Sequence, residues 1–126
     1  VMAWENSQAR ITLTAAADLS ALQYRFVIVD GDGKAAICGD NGNAIGVLQN
    51  APASGEAATI AISGVTKIYI GTTSTLDSGS ILSSEANGAG KIQASSAYRL
   101  GICLEDSTAA GDIISIVFTG ANGSTV

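Results

Sequence analysis

Two stretches of this chain, residues 44–64 and 100–120, carry the same pattern of glycines, acids and apolar residues. Gly46 corresponds to Gly101 at an offset of 55 residues, and each is followed by two apolar residues. A glycine–acid pair further along corresponds at an offset of 56, which one inserted residue explains. At 126 residues the chain is long enough for one domain, so we expect that domain to contain an internal repeat of about 56 residues.

Within each copy, short apolar segments alternate with turn residues, which is typical of β-strands. Ile60 and Ile62 alternate with small or polar neighbours, and residues 114–119 show the same alternation. Residues 10–14 predict an extra N-terminal strand, and residues 67–70 predict another. Neither β unit can bury a face alone, so the pattern predicts an all-β fold, a small barrel or sandwich built from two similar β units.

The expected organisation is an extended N-terminal arm at residues 1–10, a single β domain at residues 11–120 and a flexible tail at residues 121–126. The pseudo-repeat units lie at about residues 19–71 and 76–120. The polar connection between the two units, residues 72–75 and 78–80, is interpreted either as a solvated linker or as a binding loop. Ahead of the first unit, Asp18 predicts the cap of one helical turn.

The stretch GDGKAAICGDNGNAIG at residues 31–46 resembles a ligand loop but fits none completely. A P-loop needs a hydroxyl after Gly-Lys, and Ala35 follows here. A calcium loop needs an oxygen ligand at its fifth position, where Lys34 stands. Because Asp-Gly is a strong hairpin signal, we interpret the stretch as turns. Its G-D-G-K motif recurs as G-A-G-K at residues 88–91, an offset of 57.

Composition excludes several classes of function. The chain has no histidine, which removes the commonest general base and zinc ligand. The net charge is −5 and no basic cluster occurs, so we expect no nucleic-acid partner. The two cysteines, Cys38 and Cys103, lie in separate apolar runs and predict either buried free thiols or one disulfide. We expect no cofactor, no metal, no membrane span and no signal peptide.

Several motifs in a fixed order resemble the capsid cement, or head decoration, proteins of tailed bacteriophages. They are DLSALQYRFV at residues 18–27, AIGVLQN at 44–50 followed by P-x-x-G-E, SGVTK at 63–67, RLGICLE at 99–105 and G-D-x-I-x-I at 111–116. The resemblance covers about residues 13–118 and implies a structural virion protein without a catalytic site.

The resemblance also implies a role. Such a protein decorates and stabilises the outside of the head by bridging major capsid protein subunits, as a homotrimer at threefold and quasi-threefold sites. It implies a location on the outer surface of the virion capsid, after synthesis in the host cytoplasm.

We expect the capsid contacts in the N-terminal arm, which carries the chain's single tryptophan. The candidate contact residues are Trp4, Glu5, Asn6, Gln8 and Arg10. An exposed tryptophan in such an arm is a plausible anchor that orders on binding. The alternative is that Trp4 packs as a plug on the chain's own barrel.

Two other classes of function remain open at this point. The first is a virion-surface binding module for host glycans, with an outer loop such as residues 72–80 as the site. The second is a hydrolase using paired acids, for which Glu105 and Asp106 are the adjacent acidic pair considered. Because the repeat places Gln49 and Asn50 at this position, we interpret the acids as surface variation.

Overall fold

The computed structural model describes residues 6–71, 75–93 and 97–119, with side chains from Ala9 onwards, and it confirms the all-β class. A curled antiparallel sheet of nine strands runs through these residues, in the order β3-β2-β4-β5-β9-β8-β6-β7, with β1 paired to β5. The strands are β1 Asn6–Thr14, β2 Phe26–Val29, β3 Ala35–Ile37, β4 Gly46–Leu48, β5 Ala57–Tyr69, β6 Ile81–Ser84, β7 Gly90–Ile92, β8 Gly101–Cys103 and β9 Ile113–Phe118.

Strand β1 confirms the predicted N-terminal strand but begins earlier, at Asn6 rather than at Arg10. It pairs with β5 from Asn6, opposite Val65, to Thr14, opposite Ala57. Residues 6–10, which the sequence placed in an arm outside the domain, therefore belong to the sheet. Residues 1–5 and 120–126 lie outside the described residues.

The long central strand β5 joins two segments that the sequence presented as separate strands. Gly64 lies between them with a φ of 86°, a conformation that favours glycine. Before Gly64, β5 pairs with β4, with Ala61 opposite Val47. From Gly64 onwards, β5 pairs with β9 along six residue pairs. Because β1 pairs across Gly64 as well, β4 and β9 share the other edge of β5.

One pattern of pairing occurs twice along the chain. The order β3-β2-β4-β5 has its counterpart in β7-β6-β8-β9. Val27 lies opposite Ile37 in the first set, and Leu82 opposite Ile92 in the second, 55 residues further along. We call residues 6–63 the first unit and residues 64–119 the second unit.

This division differs from the unit boundaries read from the sequence, because β5 contributes its first half to one unit and its second half to the other. The strand register also matches Gly33 with Gly88, both with positive φ, rather than Gly31 with Gly88 as the G-x-G-K motif indicated. The internal repeat itself remains an interpretation of the sequence.

Two apolar clusters form the interior. The first unit packs Val27, Leu48 and Ile60 together. The second cluster contains Ile68, Leu82 and Ile116 of the second unit, and it also contains Phe26 and Val47 of the first. Successive residues of a strand point to opposite faces, so β2 and β4 each serve both clusters. The second cluster therefore joins the two units.

Close approach between strands explains two of the glycines. A side chain at Gly46 would overlap the carbonyl oxygen of Ala61, and one at Gly101 would lie 2.7 Å from the carbonyl oxygen of Val117. Both glycines hold the same place in their units, where β4 pairs with β5 and where β8 pairs with β9. A Cβ at either place would force the paired strands apart.

No helix occurs in the described residues, and the helical turn expected at Asp18 is a β-turn instead. The backbone N–H of Leu22 donates to the carbonyl oxygen of Leu19 at 3.0 Å, and a second turn follows at residues 23 and 24. Asp18 accepts from the backbone N–H of Ser20 at 3.0 Å, as an Asx turn rather than a helix cap.

Candidate functional site

The outer edge of β1 is the candidate contact surface that includes predicted site residues. Among the described strands, β1 pairs only with β5, so its opposite edge is not covered by another strand. Arg10 and Thr12 are exposed, whereas Ile11 and Leu13 pack against the cluster of the first unit. An edge of this kind is suited to accept a strand from a partner.

The five predicted contact residues fall into two groups. Asn6, Gln8 and Arg10 lie in β1, and a bulge at Gln8 separates the pairing of Ser7 from that of Ala9. Trp4 and Glu5 lie outside the described residues. The structure thus places three of the five on one strand, while the alternative of Trp4 as a plug stays untested.

A cluster of cations and aromatic rings lies at the junction of the two units, and sequence reasoning assigned it no joint role. The Arg25 guanidinium is 4.3 Å from the centre of the Tyr69 ring, and the Lys67 ammonium is 5.5 Å from the centre of the Tyr24 ring. Arg25 also donates to the carbonyl oxygen of Asn87 at 3.3 Å. These contacts tie the first unit to the second.

Tyr24 has a φ of 63°, which is uncommon for a bulky residue and indicates a strained backbone. Two hydrogen bonds hold it there. Its N–H donates to the carbonyl oxygen of Leu48, and its own carbonyl oxygen accepts from the N–H of Tyr69, each at 2.8 Å. The corresponding residue of the second unit is Gly79, whose φ is 89°. The spacing of 55 residues between Tyr24 and Gly79 is the signal that could have located this position.

The glycine-rich stretch forms a hairpin turn between β2 and β3, as the sequence predicted. The Asp30 carboxylate accepts from the backbone N–H groups of Asp32 and Lys34, each at 2.9 Å. The Asp30 N–H donates to the carbonyl oxygen of Lys34 at 2.8 Å and closes the turn. The oxygen considered as a metal ligand thus serves the turn, and no group of three or more metal-ligating side chains occurs in the part of the chain the structure describes.

The adjacent acids Glu105 and Asp106 have separate structural roles. Glu105 is buried and accepts from the backbone N–H of Ser115 at 3.1 Å. Asn50 makes the same bond to Thr59 in the first unit, at 3.0 Å. Asp106 accepts from both the backbone N–H and the hydroxyl of Ser78, which lowers the pKa of its carboxyl group.

The hydrogen bonds from Ser78 to Asp106 hold part of the polar connection between the units in place. Ser78 belongs to the polar connection interpreted as a linker or a binding loop. Leu76, which lies between its two polar parts, is buried and forms an isolated antiparallel β-bridge with Ser107. Residues 72–74 of this segment lie outside the described residues.

Both cysteines are free and buried, as one of the two alternatives predicted. Burial raises the pKa of the Cys38 thiol. Burial, and to a smaller extent the negative charge of Asp106, raise the pKa of the Cys103 thiol to about 11. Since the thiolate is the reactive form, both side chains behave as apolar core residues near neutral pH.

These features describe an all-β chain whose acids, amides and cations mainly hold its own loops and units together. The model of the phage cement protein family matches residues 4–118. The chain therefore belongs to the phage cement protein family, and it is a capsid-associated structural protein.

Among solved structures, the base of the head fiber protein gp8.5 of bacteriophage phi29 has a similar fold. The TM-score is 0.70 at 15% sequence identity, and the similarity covers 94% of this chain and 97% of that one. At this identity the likeness concerns the fold alone. No curated protein sequence matches the chain. No helical segment able to cross a membrane is present in the residues described above.

Proposed function

We propose that this protein decorates the outside of a phage head and stabilises it by bridging major capsid protein subunits, as a homotrimer at threefold and quasi-threefold sites. The family match over residues 4–118 carries the proposal. The two-unit architecture supports it, because two similar units offer two sets of surface in one rigid molecule. Many copies act together on a head, so each contact can be modest. The protein works without catalysis and, made in the host cytoplasm, joins the outer capsid surface.

The capsid-contact surface is the outer edge of β1 with the residues that precede it. Strand addition to this edge supplies main-chain hydrogen bonds, and side chains such as Gln8 and Arg10 supply specificity. Trp4 and Glu5 directly precede the strand, and a tryptophan at the end of an edge is well suited to anchor in a capsid pocket. The contact set is thus Trp4, Glu5, Asn6, Gln8 and Arg10.

The test is binding to expanded heads that lack the protein. We expect deletion of residues 1–5 to leave the circular dichroism spectrum unchanged, because it leaves β1 intact, and to weaken head binding about tenfold or more. Arg10→Glu is expected to weaken binding by a similar factor, since it reverses the charge on the strand edge.

Arg99→Glu is the matched control, because Arg99 is also exposed but lies in the second unit away from β1. It should change head binding less than twofold or so, as an uninvolved surface charge does. If deletion of residues 1–5 and Arg10→Glu both bind as the parent does, the β1 contact surface is wrong. If the unmodified protein does not bind heads, the proposed function itself is wrong.

The described residues do not favour the glycan-binding alternative. Sugar sites use open aromatic faces, whereas Tyr24 and Tyr69 each have a cation over the ring. Tyr98 is half-buried and packs against the second cluster. A glycan array probed with the purified protein tests the alternative, and strong binding there without head binding would support it.

A further inference from the structure

One face of the sheet in the first unit packs against the second unit and is buried by it. Phe26, Val47 and Ala61 are fully buried, and they lie directly opposite one another on β2, β4 and β5. Gln49, next along that face, donates from its side-chain amide to the Thr66 hydroxyl at 2.8 Å. This face is therefore an apolar row with a polar end, and the second unit covers it.

The same positions in the second unit form a row that the described residues leave partly open. Ile81 lies opposite Ile102, and Ile102 lies opposite Val117. These three residues correspond to Phe26, Val47 and Ala61, which are paired in the same way. Leu104 takes the place of Gln49, since both donate their backbone N–H to the equivalent residue of the neighbouring strand. We call Ile81, Ile102, Leu104 and Val117 the outer row.

Every member of the outer row is aliphatic, and none is fully buried. Ile102 is 40% exposed, whereas its counterpart Val47 is 0% exposed. A solvated sheet face normally alternates apolar residues inside with polar residues outside. Ile102 is exposed and the other three are half-buried, so this apolar face is more open than its counterpart in the first unit.

The part of the second unit that packs against Phe26, Val47 and Ala61 also has a counterpart in the first unit. In the second unit, the carbonyl oxygen of Gly88 accepts from the Phe26 N–H at 2.8 Å, and the Phe118 ring lies 6.2 Å from the Phe26 ring, centre to centre. Ile68 belongs to the same cluster.

The corresponding residues of the first unit are Gly33, Ile62 and Leu13, which we call the receiving surface. Gly33 is exposed and the two aliphatic residues are half-buried, whereas Gly88, Phe118 and Ile68 are all buried. Each half of the interface between the units thus has a partly uncovered counterpart, the outer row in the second unit and the receiving surface in the first.

We propose that copies of this chain associate head to tail, with the outer row of one copy covered by the receiving surface of the next. The contact between the units shows that surfaces of these two kinds fit each other. Such an interface is heterologous, so it forms a ring if the rotation closes and a filament if it does not. The proposal deepens the homotrimer of the proposed function by naming its contact surfaces, and it does not require capsid binding.

The first test is the mass of the protein and two variants by light scattering on a size-exclusion column. The parent is expected to exceed the chain mass of 12.6 kDa, with about three times that mass for a closed trimer. Ile102→Asp should weaken self-association by about tenfold or more, because it places a charge in the apolar contact. Ser54→Asp is the control for an added charge, since Ser54 is exposed, as are Ala109 and Ala110 in the matching loop, and it should associate as the parent does.

The second test distinguishes head-to-tail contact from a symmetric contact of row with row. A fluorescently labelled Ile102→Asp chain keeps its receiving surface, so it should migrate with the unlabelled parent and cap its assemblies. A labelled variant that stays at monomer mass beside an associating parent would overturn the head-to-tail proposal. Ile102→Thr, a milder change, replaces Ile102→Asp if the latter does not fold by circular dichroism.

The remaining outcomes also decide the question. A parent that stays at monomer mass at every concentration, or an Ile102→Asp chain that associates normally, would overturn the proposal. The first would indicate that the capsid or residues 120–126 cover the outer row. Head binding by monomeric Ile102→Asp would leave the capsid role standing, and self-association without head binding would leave the contact proposed here standing.

Discussion

The carboxylate of Asp112 holds three groups of its own loop. One oxygen accepts from the Ser107 hydroxyl and the Thr108 N–H at 3.1 Å, and from the Ala109 N–H at 3.2 Å. The two backbone bonds are the main reason that the pKa of this carboxyl group is lowered. Glu56 accepts from the Ala53 N–H in the matching loop of the first unit. Acids in these loops thus replace the backbone partners that a strand would supply.

A lowered pKa makes the contribution of Asp112 dependent on pH. The stabilisation is present above the ordinary value of about 3.9 and is lost as the pH falls through the lower value of the folded state. We therefore expect Asp112→Ala to be less stable than the parent at pH 7, with the difference shrinking towards about pH 2. Urea unfolding midpoints along a pH series measure this.

Asp112→Asn is the control for that series, because it keeps an acceptor oxygen but does not titrate. The difference between Asp112→Asn and Asp112→Ala should stay constant with pH. A parent-to-alanine difference that stayed equally large at pH 2 and pH 7 would show that the ionised carboxylate is not the source of the stability.

At the scale of strands, the close pairing of β4 with β5 depends on the lack of a side chain at Gly46. We expect Gly46→Ala to lower the free energy of unfolding by about 1–3 kcal/mol, since backbone atoms must move to admit the new methyl group. Gly39→Ala is the matched control, because a Cβ at Gly39 would have open space around it. Urea unfolding of both variants checks this, and equal losses would refute the crowding at β4.

The strands also show what the sequence could and could not predict. The turn at Asp30 was predictable because Asp-Gly has its own local preference. The early start of β1 was not, because residues 6–9 show no alternation and their pairing depends on the distant β5. The sequence did not predict that β5 is one continuous strand, because Gly64 resembles a turn residue. In the structure Gly64 lies inside the strand with a positive φ. The sequence comparison aligned G-D-G-K with G-A-G-K because the residues are nearly identical. The strand register aligns the two turns two residues differently, with Gly33 matching Gly88.

In the candidate site, too, local patterns were predictable from the sequence and contacts between distant residues were not. The buried role of Glu105 follows from its correspondence with Asn50, which the sequence comparison placed one residue away. Arg25 and Tyr69 come together only through the packing of the two units, so no local pattern predicts their contact. The outer row was equally hidden, since only the strand register shows that Ile81, Ile102 and Val117 are neighbours.

At the scale of the whole molecule, the two units share one strand and one apolar cluster. Leu48 lies in the cluster of the first unit and Leu82 in the cluster that spans both. Because β5 cannot leave one unit without exposing the other, we expect a single cooperative unfolding transition.

Leu48→Ala and Leu82→Ala test this cooperativity. Each should lower the free energy of unfolding by about 2–5 kcal/mol, the usual cost of a buried leucine truncation. Amide signals from β2 and from β6, followed by NMR during urea unfolding, should shift together in both variants. A Leu48→Ala chain that loosened β2 while β6 kept its original midpoint would show that the units unfold separately.

The sharing of β5 also determines how this molecule responds to load. The 13 residues of β5 form one continuous strand that belongs to both units, with Gly64 inside it at the boundary. A force that separates the two units therefore acts through the backbone of β5 and through the strand pairings on either side of Gly64. To part the units, the chain must give up the pairing of β5 with β1 and β4 or its pairing with β9, and not only rearrange a loop.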